Sequence, residues 1–80
     1  MNEKKKDITP ITEYAVYYVD LMPMLEERGM SKNMLCAKTG LMFNALQRYA
    51  TGKIKRIDLD VISRICTVLE CDIADIVKKA

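Results

Sequence analysis

Asn44, Gln47, Arg48 and Thr51 stand close together in the segment TGLMFNALQRYATGKIKR, residues 39–56. At about 100° per residue they fall on one side of a short helix. Met42, Ala45, Leu46 and Tyr49 take the other side, facing a core, and Phe43 and Ala50 lie at the border. The polar side carries two amides, a hydroxyl and a guanidinium, with no carboxylate. These groups suit base edges: Asn and Gln bond bidentately to adenine, Arg does so to guanine or holds a phosphate, and an apolar group such as Phe43 can touch the thymine methyl. Lys53, Lys55 and Arg56 come next, in a loop where backbone phosphates can be clamped.

The charge distribution points the same way. Seven basic residues and no acid lie between Arg28 and Ile57, leaving six basic residues against all eleven acids elsewhere. Solvated surfaces usually mix their signs, so an unmixed block is a candidate footprint for a polyanion.

Other chemistries find little to work with. There is no His, and the cysteines are Cys36, Cys66 and Cys71, an odd number without C-x-x-C spacing. That argues against a disulfide framework and a structural zinc site, so no metal or cofactor is expected. Asp58, Asp60, Asp72 and Asp75 sit where first-turn acids complement helix N-termini, and Ser31 has no neighbouring base to activate it. Without a P-loop or a dinucleotide fingerprint, the chain does not read as an enzyme and shows no small-molecule site. Cys36 on a helix surface is the one candidate for a thiol sensor. No stretch approaches the roughly 20 apolar residues of a membrane span, and a cytoplasmic location is expected.

Eighty residues make one small domain, and short helices must position these groups. Residues 1–7 read as a lysine-rich, solvated lead. Residues 13–19, EYAVYYV, are β-branched and aromatic without helical spacing, which predicts a strand. Finding no partner strand in the chain, we expect it to pair with a second copy or to lie across the helices as an arm. From residue 20 onward one local pattern recurs, the hydrophobic staple: Met30 and Leu35 around Ser31, Ile57 and Ile62 around Asp58, Cys71 and Ile76 around Asp72, and Leu41 and Leu46 around Met42. The pattern predicts helices over about 21–28, 32–39, 43–50, 59–69 and 73–78, with Met22, Met24, Met30 and Met34 filling the core.

The run ERGMSKNMLCAKTGLMFNALQRYATGK resembles the helix-turn-helix of phage repressor and Cro-like regulators, the xenobiotic-response-element type. The continuation RIDLDVISRICTVLECDIADIV is similar to their last two helices, and the likeness covers about 21–77. It implies an all-α, five-helix, lambda-repressor-like DNA-binding fold, here preceded by an extended arm or strand over 1–19, with the helix-turn-helix domain over 20–80. It also implies that the second and third helices form the DNA-reading unit, the third in the major groove. By this resemblance Phe43, Asn44 and Gln47 hold recognition positions, and Lys32 matches a phosphate contact that is usually Gln. The chain departs from the family at Met42 and Phe43, where small polar and polar residues are usual.

The resulting expectation is a small transcriptional regulator that binds double-stranded DNA as a homodimer. Phe43, Asn44, Gln47 and Arg48 would read bases. Lys32, Lys38, Thr51, Lys53, Lys55 and Arg56 would hold phosphates, and Tyr14, Val16 and Tyr18 would form the dimer contact, with the fifth helix as the alternative. The competing expectation is a protein-interaction module, such as an antitoxin-like or anti-repressor subunit, gripping its partner through Met42 and Phe43.

Overall fold

The computed structural model describes residues 8–80; the lysine-rich lead, 1–7, lies outside them. Four α-helices and a two-stranded antiparallel sheet are arranged in the order β1 (Tyr17–Val19), α1 (Met22–Glu27), α2 (Lys32–Thr39), α3 (Phe43–Ala50), α4 (Leu59–Leu69), a single 3₁₀ turn (Ile73–Asp75) and β2 (Val77–Lys79). Three of the helices start as the staple pattern predicts. Ser31 accepts the backbone N–H of Met34 at 3.1 Å, and Asp58 accepts that of Asp60 at 2.9 Å. Each thereby satisfies a donor that a helix start leaves unpaired. Met42, at the start of α3, makes no side-chain cap bond.

The helices stop for equally local reasons. Gly40 takes the left-handed conformation (φ 78°) and donates its N–H to the Cys36 carbonyl at 2.9 Å, closing α2 and turning the chain toward α3. Gly52 (φ 73°) ends the α3 region, and a Cβ there would lie 3.2 Å from the Val19 carbonyl oxygen, so backbone approach as well as dihedral angle calls for glycine.

The core joins both ends of the chain to the helices. Leu21, Leu25, Leu35, Leu46, Ile65, Leu69 and Ile76 are completely enclosed, with Val19, Tyr49, Ala50 and Ile62 beside them. The i, i+3, i+7 spacing of Ile62, Ile65 and Leu69 puts one face of α4 inward, and α2 packs against both α3 and α4. Met24 and Met30 pack on this core, but Met22, Met34 and Met42 are exposed, contrary to expectation. Three or four methionines are not needed where aliphatic residues already fill a core this small.

Two expectations about the chain ends are corrected. Residues 73–78 do not form a fifth helix. The Asp72–Asp75 capping box forms as the sequence implies, with the Asp72 N–H donating to Asp75 at 2.8 Å, but the backbone leaves helical geometry at Ile76 after one turn. Val77–Lys79 then becomes β2, and the strand thought to lack a partner pairs with it: Tyr17 opposite Lys79, Tyr18 opposite Lys78 and Val19 opposite Val77. Asp20 N–H donates to the Ile76 carbonyl at 2.6 Å and Ala80 N–H to the Val16 carbonyl at 2.8 Å, extending the ladder both ways. The pairing is driven by the burial of Val19 and Ile76 on the helical core.

Candidate nucleic-acid interface

The inward side of α3 consists of Leu46, Tyr49 and Ala50, all buried, with Ala45 half-buried. Tyr49 also anchors the far end of the α3–α4 loop, because its hydroxyl oxygen accepts the Asp58 N–H at 2.9 Å and ties α3 to the start of α4. With that side anchored, Asn44, Arg48 and Thr51 are exposed and Gln47 is half-buried on the other side. Met42 is exposed as well, 76% accessible, whereas the sequence placed it inward. As the N-cap it stands in extended geometry ahead of the helix, so the helical angle that assigned it to the core does not apply.

Lys32, in the first turn of α2, reaches across to α3. Its ammonium donates to Gln47 Oε1 at 2.9 Å and lies 5.9 Å from the centre of the Phe43 ring. The structure thus brings together three predicted residues, one expected on phosphate and two on bases. The hydrogen bond fixes the Gln47 amide so that its N–H₂ group, not its oxygen, is the freer end. The ammonium beside the ring is a cation–π arrangement. Nothing local in the sequence marks this cluster, because it depends on how α2 and α3 cross.

The loop after α3 alternates inside and outside. Ile54 packs on the core, while Lys53 and Lys55 on either side of it and Arg56 beyond are exposed. One apolar side chain therefore pins the loop and turns its cations to solvent.

Two basic residues of the one-sign block sit elsewhere. Arg28 donates from Nε to the Leu69 carbonyl at 2.7 Å and from Nη2 to the Glu70 carbonyl at 3.2 Å, capping the C-terminus of α4. Lys38 lines a shallow groove between α2 and α4 with Thr39, Ser63, Arg64, Thr67 and Val68. It is about 120° around α2 from Lys32 and is not part of the Lys32–Phe43–Gln47 cluster. Arg64, which spacing alone did not single out, bridges this groove: it donates to the Thr39 carbonyl at 3.1 Å and pairs with Asp60 at 3.1 Å.

The cysteines belong to the packing. Cys36, Cys66 and Cys71 are half-buried against the core. Burial, reinforced by neighbouring Cys71, pushes the Cys66 thiol up to about 11, so it stays protonated at neutral pH. Among the described residues no group of three or more His, Cys, Asp or Glu side chains could hold a metal ion, and no helix is long and apolar enough to cross a membrane.

A family model described as the Cro/C1-type HTH DNA-binding domain matches residues 21–78. The chain belongs to that family. The match takes in α2, the Gly40 turn and α3, so the face bearing Asn44, Gln47 and Arg48 is the outer face of a Cro/C1-type helix-turn-helix. A crystal structure of the transcriptional regulator VanUg is similar in fold to this Cro/C1-type domain, with a TM-score of 0.67 and 23% identity over 90% of this chain and 96% of that one. A search of curated protein sequences gives no significant match.

Proposed function

We propose that this Cro/C1-type domain is a small transcriptional regulator that binds duplex DNA sequence-specifically as a homodimer, with α3 in the major groove. The observation that carries this reading is the acid-free outer face of α3. Asn44, Gln47 and Arg48 project from a helix anchored by Leu46 and Tyr49, and the exposed Lys53, Lys55 and Arg56 come directly after it. In this arrangement Phe43, Asn44, Gln47 and Arg48 contact bases. Lys32, Thr51, Lys53, Lys55 and Arg56 contact phosphates, with Lys38 at the margin.

Gln47→Ala tests the assignment. Because Lys32 holds the amide in one orientation, its loss should cost roughly 1–3 kcal/mol on a site selected from random duplexes and little on unselected DNA. Equal losses in a titration of both would remove Gln47 from base reading.

One eight-residue helix meets few base pairs, so two copies on half-sites roughly 34 Å apart would supply specificity. The residues ahead of β1 support dimerisation. Tyr14 is 73% and Val16 57% exposed, and Tyr18 in β1 is also exposed, an apolar strip beside a sheet that among the described residues has two strands and open edges. Tyr14→Lys together with Val16→Lys should halve the mass seen by sedimentation without lowering helix content. A dimer that survives both charges would put the contact elsewhere.

The exposure of Met42 and Phe43 favours a second reading, in which α3 grips a protein, as in an antitoxin-like or anti-repressor subunit. Tight binding to a protein with no duplex affinity at low salt would select it.

A further inference from the structure

We propose that the exposed apolar tip of α3, Met42 and Phe43, reads the C5 methyl group of thymine in the major groove. This inference rests on the proposed DNA binding and names a feature of the sequence recognised.

Met42 is 76% and Phe43 43% exposed. They are the N-cap and first residue of α3, the end from which a recognition helix reaches base edges. Neither side chain belongs to the enclosed core, and the ring contact recorded for Phe43 is with the Lys32 ammonium. Met42 makes no side-chain cap bond where Ser31 and Asp58 do so for α2 and α4, and an apolar side chain in water forgoes the benefit of burial. The exposed apolar surface of the pair therefore gains when something apolar covers it.

The surroundings select a nucleic acid as that cover. Lys32 holds its ammonium 5.9 Å from the Phe43 ring, and the sequence from Gly29 to Arg56 contains no acid. Of the four bases, thymine alone presents an apolar group in the major groove. It also sets a carbonyl acceptor, O4, beside that methyl. The tip matches both features, because Lys32 occupies Gln47 Oε1 and leaves the amide N–H₂ to donate. An apolar contact and a donor are thus held side by side by one lysine.

Replacing thymine by deoxyuridine removes the methyl and leaves every hydrogen-bonding group in place. The experiment uses the full chain and the tightest duplex from a random-library selection, with deoxyuridine introduced one position at a time. The expected result is a loss of about fourfold in affinity at one or two positions per half-site, the worth of one buried methyl-sized group. Phe43→Ala and Met42→Ala should bind the thymine duplex more weakly and show a reduced difference between the two duplexes. Equal affinity of the unsubstituted protein for thymine and deoxyuridine at every position overturns this inference alone, and that arm needs no variant to fold. A protein partner lost by Phe43→Ala while thymine discrimination is absent also overturns it. Absence of any duplex binding at low salt overturns both this inference and the reading on which it rests.

Discussion

Replacing Lys53, Lys55 and Arg56 together by Gln is expected to lower duplex affinity at least a hundredfold at roughly 0.1 M salt, on selected and unselected DNA alike. Each phosphate neutralised releases condensed counterions, and removing three contacts from each protomer of the proposed dimer, six in all, should reduce the slope of log affinity against log salt by about 5.4. All three side chains are exposed, and among the described residues none makes an ion pair with an acid. The substitution therefore leaves the fold with little to lose, and Ile54 continues to hold the loop in place. Its loss profile differs from that of Gln47→Ala, which should spare unselected DNA. Affinity measured across a salt series separates the two. An unchanged slope in the triple variant would show that the loop points away from the duplex.

Much of this division of labour is legible in the sequence because it depends on short-range rules. The bounds of α2, α3 and α4 coincide with those the staple spacing predicts, since the caps of α2 and α4, the apolar pairs five residues apart and the glycines that follow α2 and α3 all act within one segment. The one-sign run of charge is equally local. Legibility ends where the deciding contact is distant. Val77–Lys79 could not be recognised as a strand from its own three residues, because its partner lies about 60 positions earlier and the pairing is selected by the burial of Val19 and Ile76. The same distance hid the role of Arg28, which belongs by charge to the basic block but is occupied by the carbonyls of Leu69 and Glu70.

The site itself shows the same boundary. The faces of α3 arise from 3.6-residue periodicity, and Asn44, Gln47 and Arg48 are found where that period puts them. Met42 is not, because an N-cap residue lies outside the helical geometry on which the wheel depends. The hydrogen bond from Lys32 to Gln47 spans fifteen positions and two helices, and only the packing of α2 on α3 creates it. Sequence thus supplies the groups, while the crossing of the two helices determines that a lysine orients a glutamine and flanks a phenylalanine.

Leu46→Ala is expected to produce the largest loss of stability among single changes near the interface, about 2–5 kcal/mol. Leu46 is fully enclosed, and it belongs both to the core and to the helix that carries the proposed reading face. A domain of this size holds on the order of 4–12 kcal/mol in total, so the variant should melt at least about 8 °C lower by circular dichroism. The cavity lies on the side of α3 away from Asn44 and Arg48, which remain in position in every molecule that folds. A duplex that binds only the folded state, supplied at about a hundred times its dissociation constant, should restore about 2.7 kcal/mol and raise the melting temperature of the variant and the unsubstituted protein alike. If the duplex stabilises the unsubstituted protein but fails to stabilise Leu46→Ala, the leucine does more than support the helix: it sets the angle at which α3 is presented, and the reading face is not independent of the core beneath it.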